Sequence, residues 1–266
     1  MEIVGQRINT SLPGIDELVA SRDEKRLIQL CRDQLLYGAD RISINAGTRV
    51  NTEVDDLLWM TRTIQDAMEV QLMADSPNPE ALRVVAENNR YGRVALDSTN
   101  LEESRIQAVL PIVKEYNCPL VVLLQDEKGM PETVEDRLRL MPKVEQLMKE
   151  YSLNKDEVYL DCLVFPVAVE DTNAKLYLDC VSAVRQAYPG YRFTCGLNNI
   201  SFGMPERPIL DITFLLFQMA MGIDYFMLEL DPASGAFIKA AKAILGQDEY
   251  TMDYITAYKE KWFPHL

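Results

Sequence analysis

What most limits the fold of this chain is a repeat of pattern rather than of residues. A short apolar run is followed by a longer amphipathic one, eight times from end to end. The apolar runs fall at residues 2–4, 41–45, 70–74, 94–97, 120–124, 158–161, 193–197 and 225–228. Helical spacing fills the intervals at 22–37, 52–67, 79–89, 103–116, 132–151, 172–187, 208–221 and 233–245, with a polar extension around 248–261. Leu27, Ile28, Cys31, Leu35 and Leu36 share one face of the first of these, and Ile106, Val109, Leu110 and Val113 share one face of the fourth. The short runs are continuously apolar instead of alternating, as expected of parallel strands covered by helices on their outer side. Eight such units in 266 residues, with no linker between them, predict an α/β fold, one (β/α)8 barrel domain over 1–266. The runner-up, an open doubly wound sheet, loses support because neither GxGxxG nor GxxxxGK[ST] occurs.

Charge and composition remove whole classes of function. A net charge of -14 argues against nucleic acid as a partner, since phosphate backbones need clustered Lys and Arg. No apolar stretch approaches the roughly 20 residues of a membrane helix. The first residues, MEIVGQRINT, lack the basic-then-apolar order of a signal peptide. Cys31, Cys118, Cys162, Cys180 and Cys195 are scattered without a CxxC pair, which fits reduced thiols in a cytoplasmic protein. The only histidine, His265, is next to last, which leaves no His triad, His metal centre or His acid–base pair to expect.

In a barrel of this kind the strand ends and the loops after them make the site. Those positions are Gln6, Arg7 and Asn9; Ser43 and Asn45; Asp75; Asp97; Gln125 and Asp126; Asp161; Asn198, Asn199 and Ser201; and Glu229. Any one Asp or Asn after a strand can be a helix cap, and Asp97, Ser98 and Asn78 suit that role. Capping does not account for the set. Carboxylates converging on one space repel each other and lose solvation, a cost that a ligand rich in N–H donors, or a metal, offsets.

Three chemistries compete for such a mouth. A Schiff-base aldolase needs a strand lysine, whereas Lys25, Lys114, Lys155, Lys175 and Lys239 fall in helices or surface loops. An enolase-type metal enzyme finds acids at Asp161 and Glu229 but no Lys or His base. A reduced pterin presents an amino group and a ring N–H side by side, which a carboxylate accepts and an Asn complements, with no metal and no histidine.

The segments VGQRINT, GADRISINAG, MADSPN, ALDSTN, YLDCLVFP and GLNNISFGMPERP, in this order, resemble the pterin-binding barrel of methyltetrahydrofolate:corrinoid methyltransferases. That family is related to dihydropteroate synthase and to the folate domain of cobalamin-dependent methionine synthase. The resemblance covers essentially the whole chain, and GLNNISFG with the following Arg is its most specific stretch. It implies that Asp75, Asp97 and Asp161 hold the pterin edge and that Asn199 reaches toward N5 of the folate. Asn9, Asn45 and Ser201 join the binding set, and Arg207 either anchors its loop or meets the folate's glutamate tail. The implied reaction moves a methyl group between N5 of tetrahydrofolate and the cobalt of a corrinoid. Either direction is open, including methylcorrinoid to tetrahydrofolate within a multi-component demethylase. The corrinoid is expected on a partner protein, since no DxHxxG signature is present. A homodimer is implied, with 208–221 and 233–245 as candidate contacts. The rival readings are a dihydropteroate synthase, which needs a basic anion site, and a non-catalytic folate-binding barrel. Gln6 stands where the family usually has Glu, Ser43 where it has Asp, and Asp97 where it has Asn.

Overall fold

The computed structural model describes residues 1–263, so His265 lies outside the described residues. The apolar runs become β1 (Glu2–Asn9), β2 (Arg41–Asn45), β3 (Gln71–Asp75), β4 (Ala95–Thr99), β5 (Leu120–Leu123), β6 (Val158–Asp161), β7 (Arg192–Thr194) and β8 (Tyr225–Leu228). All pair in parallel, in the order β7-β6-β5-β4-β3-β2-β1-β8. A bridge from Gly196 to Met227 closes the ring between β7 and β8. Around it lie α1 (Ile15–Ala20), α2 (Glu24–Leu36), α3 (Glu53–Ala67), α4 (Pro79–Asn88), α5 (Glu103–Tyr116), α6 (Val134–Tyr151), α7 (Asn173–Ala187), α8 (Arg207–Ala220), α9 (Pro232–Ile244) and α10 (Met252–Lys259). The expected (β/α)8 barrel is the fold.

Several boundaries differ from the sequence reading for local reasons. β1 continues past Val4 to Asn9, because pairing with Ile44 and Asn45 of β2 carries its polar residues along. β7 stops at Thr194, and the predicted strand to residue 197 instead turns at Gly196 into a short 3-10 turn, Leu197–Asn199. Asp97 and Ser98 lie inside β4 and do not cap α5, whose N-cap is Glu102. Asn78 does cap α4, its side chain accepting from the Glu80 N–H. Helix α1 is an addition that the periodicity did not signal, entered through Gly14 at φ 75.

Two layers of apolar side chains explain both the stability and the site. Outward-facing strand residues such as Ile3, Ile42, Ile44, Leu72, Leu96 and Phe193 pack against Leu27, Leu57, Leu82, Val109 and Val181 of the helices. Each fully buried side chain of this kind contributes roughly 1.5–3 kcal/mol. Inward-facing Val4, Met73, Ala95, Val121, Tyr159, Tyr225 and Met227 fill the barrel's own interior. The Tyr159 and Tyr225 rings, with centroids 4.1 Å apart, form its floor. Side chains alternate with period two along a strand. The next inward residue above Val4, Met73, Ala95 and Tyr159 is therefore Gln6, Asp75, Asp97 and Asp161 respectively. The strand period sets the acids on a plug of apolar side chains, facing the open end.

Candidate functional site

Asp75 and Asp97 are directly opposed on neighbouring strands, and Asp161 is opposed by Leu123 of β5. Burial pushes Asp75 up to about 6; the nearby charge of Glu53 adds to the rise, and a hydrogen bond from Asn45 opposes it. Asn45 is oriented for that bond because its Oδ1 accepts the Gly47 N–H at 2.8 Å, which leaves its NH2 for Asp75. Burial likewise lifts Asp161 to about 6, against the N–H groups of Leu163 and Gly196 and the charge of Arg137. Asp97 is driven well above the ordinary carboxylate range, first by burial and then by the charges of Asp75 and Asp161. Beside Asp75 and Asp97 opens a cavity of about 420 Å3, with Arg105, Asn100 and Leu123 on its wall.

No Lys or Arg among the described residues forms an ion pair with these three acids. Two arginines beside these acids, Arg105 and Arg137, are committed to backbone carbonyls. Arg105 ties the loop after β3 to the end of β4, donating to Pro77 O and, at 2.6 Å, to Ser98 O. Arg137 is fully buried and donates to Cys162 O at 2.5 Å, Thr133 O at 2.9 Å and Leu163 O at 3.3 Å. It thereby fixes the turn behind Asp161, in which Leu163 holds a left-handed φ of 63°. The acids are left with hydrogen-bond capacity and no ion-pair partner among the described residues. That suits a ligand offering N–H donors, and no group of side chains among the described residues has the make-up of a metal site.

The turn after β7 carries the other expected residues. Asn199 is exposed at the mouth, and its amide has no hydrogen-bond partner among the described residues. Gly196 makes room for it, since a Cβ there would stand 2.9 Å from Asn199 Nδ2. The same Gly196 N–H points at Asp161, so the turn and the acid layer are physically joined. Arg207 donates from Nε to Ser201 Oγ and from Nη2 to Asn198 O, each at 3.0 Å. Of its two expected roles, the loop anchor is the one these bonds display. Asn9 lies at the mouth beside Asn45, but its Oδ1 accepts from both the N–H and the hydroxyl of Ser11, a local turn. Ser43 is buried a layer lower, opposite Met73.

Sequence reasoning passed over four contributors. Glu53 accepts from Ser76 Oγ at 2.6 Å behind Asp75. Thr194, opposed to Asp161, has a buried hydroxyl without a partner. Arg105 and Arg137 start from helices, and nothing in a helical repeat signals that a side chain returns to a strand-end loop.

The chain matches the pterin binding enzyme family over residues 13–229, and it belongs to that family. Within it, the chain is 29% identical over 266 residues to the methylcorrinoid:tetrahydrofolate methyltransferase of Eubacterium limosum, covering 98% of this chain and 97% of that protein. The methionine synthase of Mycobacterium leprae is 25% identical over 235 residues, which are 84% of this chain but 19% of that much longer protein. Among solved structures, the dihydropteroate synthase of Vibrio fischeri superposes with a TM-score of 0.69 at 15% identity, covering 92% of this chain and 93% of that one. The Yersinia pestis dihydropteroate synthase gives 0.65 at 10% identity, with 93% of each chain covered. These structures share the fold.

Proposed function

We propose that this protein transfers a methyl group between the cobalt of a corrinoid, carried by a separate protein, and N5 of tetrahydrofolate. The direction we favour is methylcorrinoid to tetrahydrofolate, the direction in the printed name of the Eubacterium limosum relative. One observation carries the reading: Asp75, Asp97 and Asp161 converge at the barrel mouth with no ion pair to any of them among the described residues, one turn away from the free amide of Asn199. A folate's amino group and ring N–H supply the missing donors. Each such bond to a charged acceptor contributes roughly 1.5–3 kcal/mol when buried. Asp97 also answers its departure from the family's Asn. A protonated carboxyl offers one O–H donor beside one carbonyl acceptor, the same pair of functions that an Asn side chain presents.

The corrinoid supplies the methyl group at its cobalt, and the rest of the step belongs to the folate and to this chain. Asp75, Asp97 and Asp161 hold and orient the pterin edge. The N5 lone pair would form the new N–CH3 bond as the bond from the methyl group to cobalt breaks, its electron pair remaining with the corrinoid substrate, and the N5 proton would pass to water at the open mouth as positive charge develops on that nitrogen. Asn199 stabilises the changing charge with its amide dipole, an electrostatic role that needs no proton shuttle. The floor of Tyr159 and Tyr225 keeps water out from below. The dihydropteroate synthase alternative needs basic groups free for pyrophosphate, whereas Arg105, Arg137 and Arg207 are spent on backbone carbonyls. Five unpaired, buried cysteines fit a cytoplasmic setting. No helix among the described residues is long and apolar enough to cross a membrane.

Mixing the protein with methylcobalamin and tetrahydrofolate, and following 5-methyltetrahydrofolate by chromatography, tests the reading. Product formation, abolished by Asn199→Ala, is expected. Folate binding without methyl exchange, against free or protein-bound methylcorrinoid, would leave only a binding barrel. No calorimetric folate binding at high micromolar concentration would sink the pterin assignment itself.

A further inference from the structure

Gln6, Asn198 and Asp211 form a chain of side-chain hydrogen bonds that runs from the inner face of β1, through the turn bearing Asn199, to α8. Gln6 Nε2 donates to Asn198 Oδ1 at 2.8 Å, and Asn198 Nδ2 donates to Asp211 Oδ2 at 2.7 Å. The chain has one workable direction. A carboxylate only accepts, so Asn198 must turn its NH2 toward Asp211. Its carbonyl oxygen then faces Gln6, which must answer with its own NH2. Asp211 enforces this strongly. It is only 8% exposed, and its other oxygen, Oδ1, is buried without a partner on the wall of a cavity of about 220 Å3 between α8 and α9. Losing the Asn198 bond would leave a buried carboxyl with neither oxygen satisfied.

The chain matters because of what it holds. The Asn199 amide touches no partner, so its aim is set by the backbone of the turn alone. That turn is gripped from two sides at Asn198: Arg207 and Ser201 take its carbonyl oxygen, and the chain takes its side chain. Arg207 leads into the same helix as Asp211, whereas Gln6 lies across the seam on the first strand. Gln6 is thus the tie between the barrel wall and the turn.

We infer that Gln6, Asn198 and Asp211 form a positioning relay that fixes the turn presenting Asn199 to folate N5. Gln6 is an amide and not a carboxylate because Asp211 sets the polarity of the relay. The inference rests on the proposed role of Asn199. A carboxylate introduced at position 6 would leave two carboxylates competing for one amide that has donors at only one end. Replacing Asp211 by an amide at the same time reverses the chain and satisfies every bond again.

The test compares Gln6→Glu, Asp211→Asn and the double variant, by methyl transfer and by thermal unfolding of the ligand-free protein. Gln6→Glu is expected to lower kcat at least tenfold and Tm by roughly 2–6 °C. The double variant is expected to return kcat to within about threefold of the wild type and to recover most of the Tm. Direct contact of Gln6 with the ligand alone predicts a double variant as poor as Gln6→Glu, and that result overturns the relay. So do additive Tm changes. The Tm cycle needs no methyl transfer, so it decides the relay even if the wild-type protein binds folate without reacting, an outcome that fails the proposed function instead.

Discussion

At the scale of single residues, the site is defined by what its carboxyls lack. Asp161 accepts the Leu163 N–H at 2.6 Å, yet burial still lifts it to about 6, so the fold spends stability to keep it at the mouth. Asp161→Asn keeps the shape and removes the charge that a folate's donors would meet. Folate affinity, measured by calorimetry, is expected to fall roughly ten- to a hundredfold, the equivalent of one charge-assisted bond. The trio also gives stability a definite pH dependence. An unfolded Asp titrates near 3.9, as is usual, whereas burial lifts Asp75 and Asp161 to about 6 in the fold and drives Asp97 well above its ordinary range. Raised folded values mean that the protonated forms favour the fold. The stability they contribute is complete below the unfolded value and is lost as pH rises through the folded values. Tm of the ligand-free protein should therefore decline from about pH 4 upward through about pH 6, as these groups lose their protons. Asp97→Asn should flatten the decline and raise Tm at the upper end. A variant with the wild-type slope would show that Asp97 is ionised like any surface carboxylate.

At the scale of elements, each site residue depends on the loop that follows its strand, and the loops are pinned from helices. Arg137 in α6 is the plainest case, with three carbonyls on one buried guanidinium. Arg137→Met leaves those acceptors unsatisfied and unlocks the turn behind Asp161. Unfolding should show a loss of roughly 3–5 kcal/mol, the usual cost of stripping the partner from buried polar groups, with folate affinity falling alongside. Gly196→Ala is gentler, because its new Cβ meets only the movable end of Asn199. It should lower kcat several-fold at nearly unchanged Tm and folate affinity, and a matched fall in affinity would count against a separate role for Asn199. The same contrast explains what was legible beforehand. Asp75, Asp97 and Asp161 could be placed from sequence because strand periodicity is local: apolar runs mark the strands, and the polar residue ending each run marks the mouth. Arg105, Arg137, Thr194 and the Gln6–Asn198–Asp211 chain could not, since their partners lie as far as 192 residues away and only the closed ring brings them together. The end of β7 failed for the opposite reason: Cys195 and Leu197 continue the apolar run, but Gly196 bends the backbone between them.

At the scale of the whole molecule, the barrel's apolar surface is unevenly spread. Ile209 and Phe217 of α8 are 64% and 56% exposed, and Ile244, at the end of α9, is 85% exposed. Tyr250, Met252, Tyr254, Ile255 and Tyr258 continue the exposed apolar set around α10, which packs on α9. Scattered apolar side chains are ordinary on a surface, but large ones gathered on consecutive helices mark contact sites in soluble proteins. We propose that this side is where two copies of the chain meet, through α8 and α9 as expected from sequence. The choice of side follows from the mechanism. A corrinoid-bearing partner must reach the barrel mouth, where Asn199 is exposed, so a dimer formed along the helix flank leaves that mouth open. Light scattering is expected to give twice the mass of the chain. Phe217→Asp combined with Ile244→Asp should give the single-chain mass at micromolar concentration, with Tm and folate affinity retained, since neither residue is buried in the protomer. A wild-type protein that runs as a monomer at those concentrations would remove the proposal. A charged double variant that stays dimeric would move the contact to another face of the barrel.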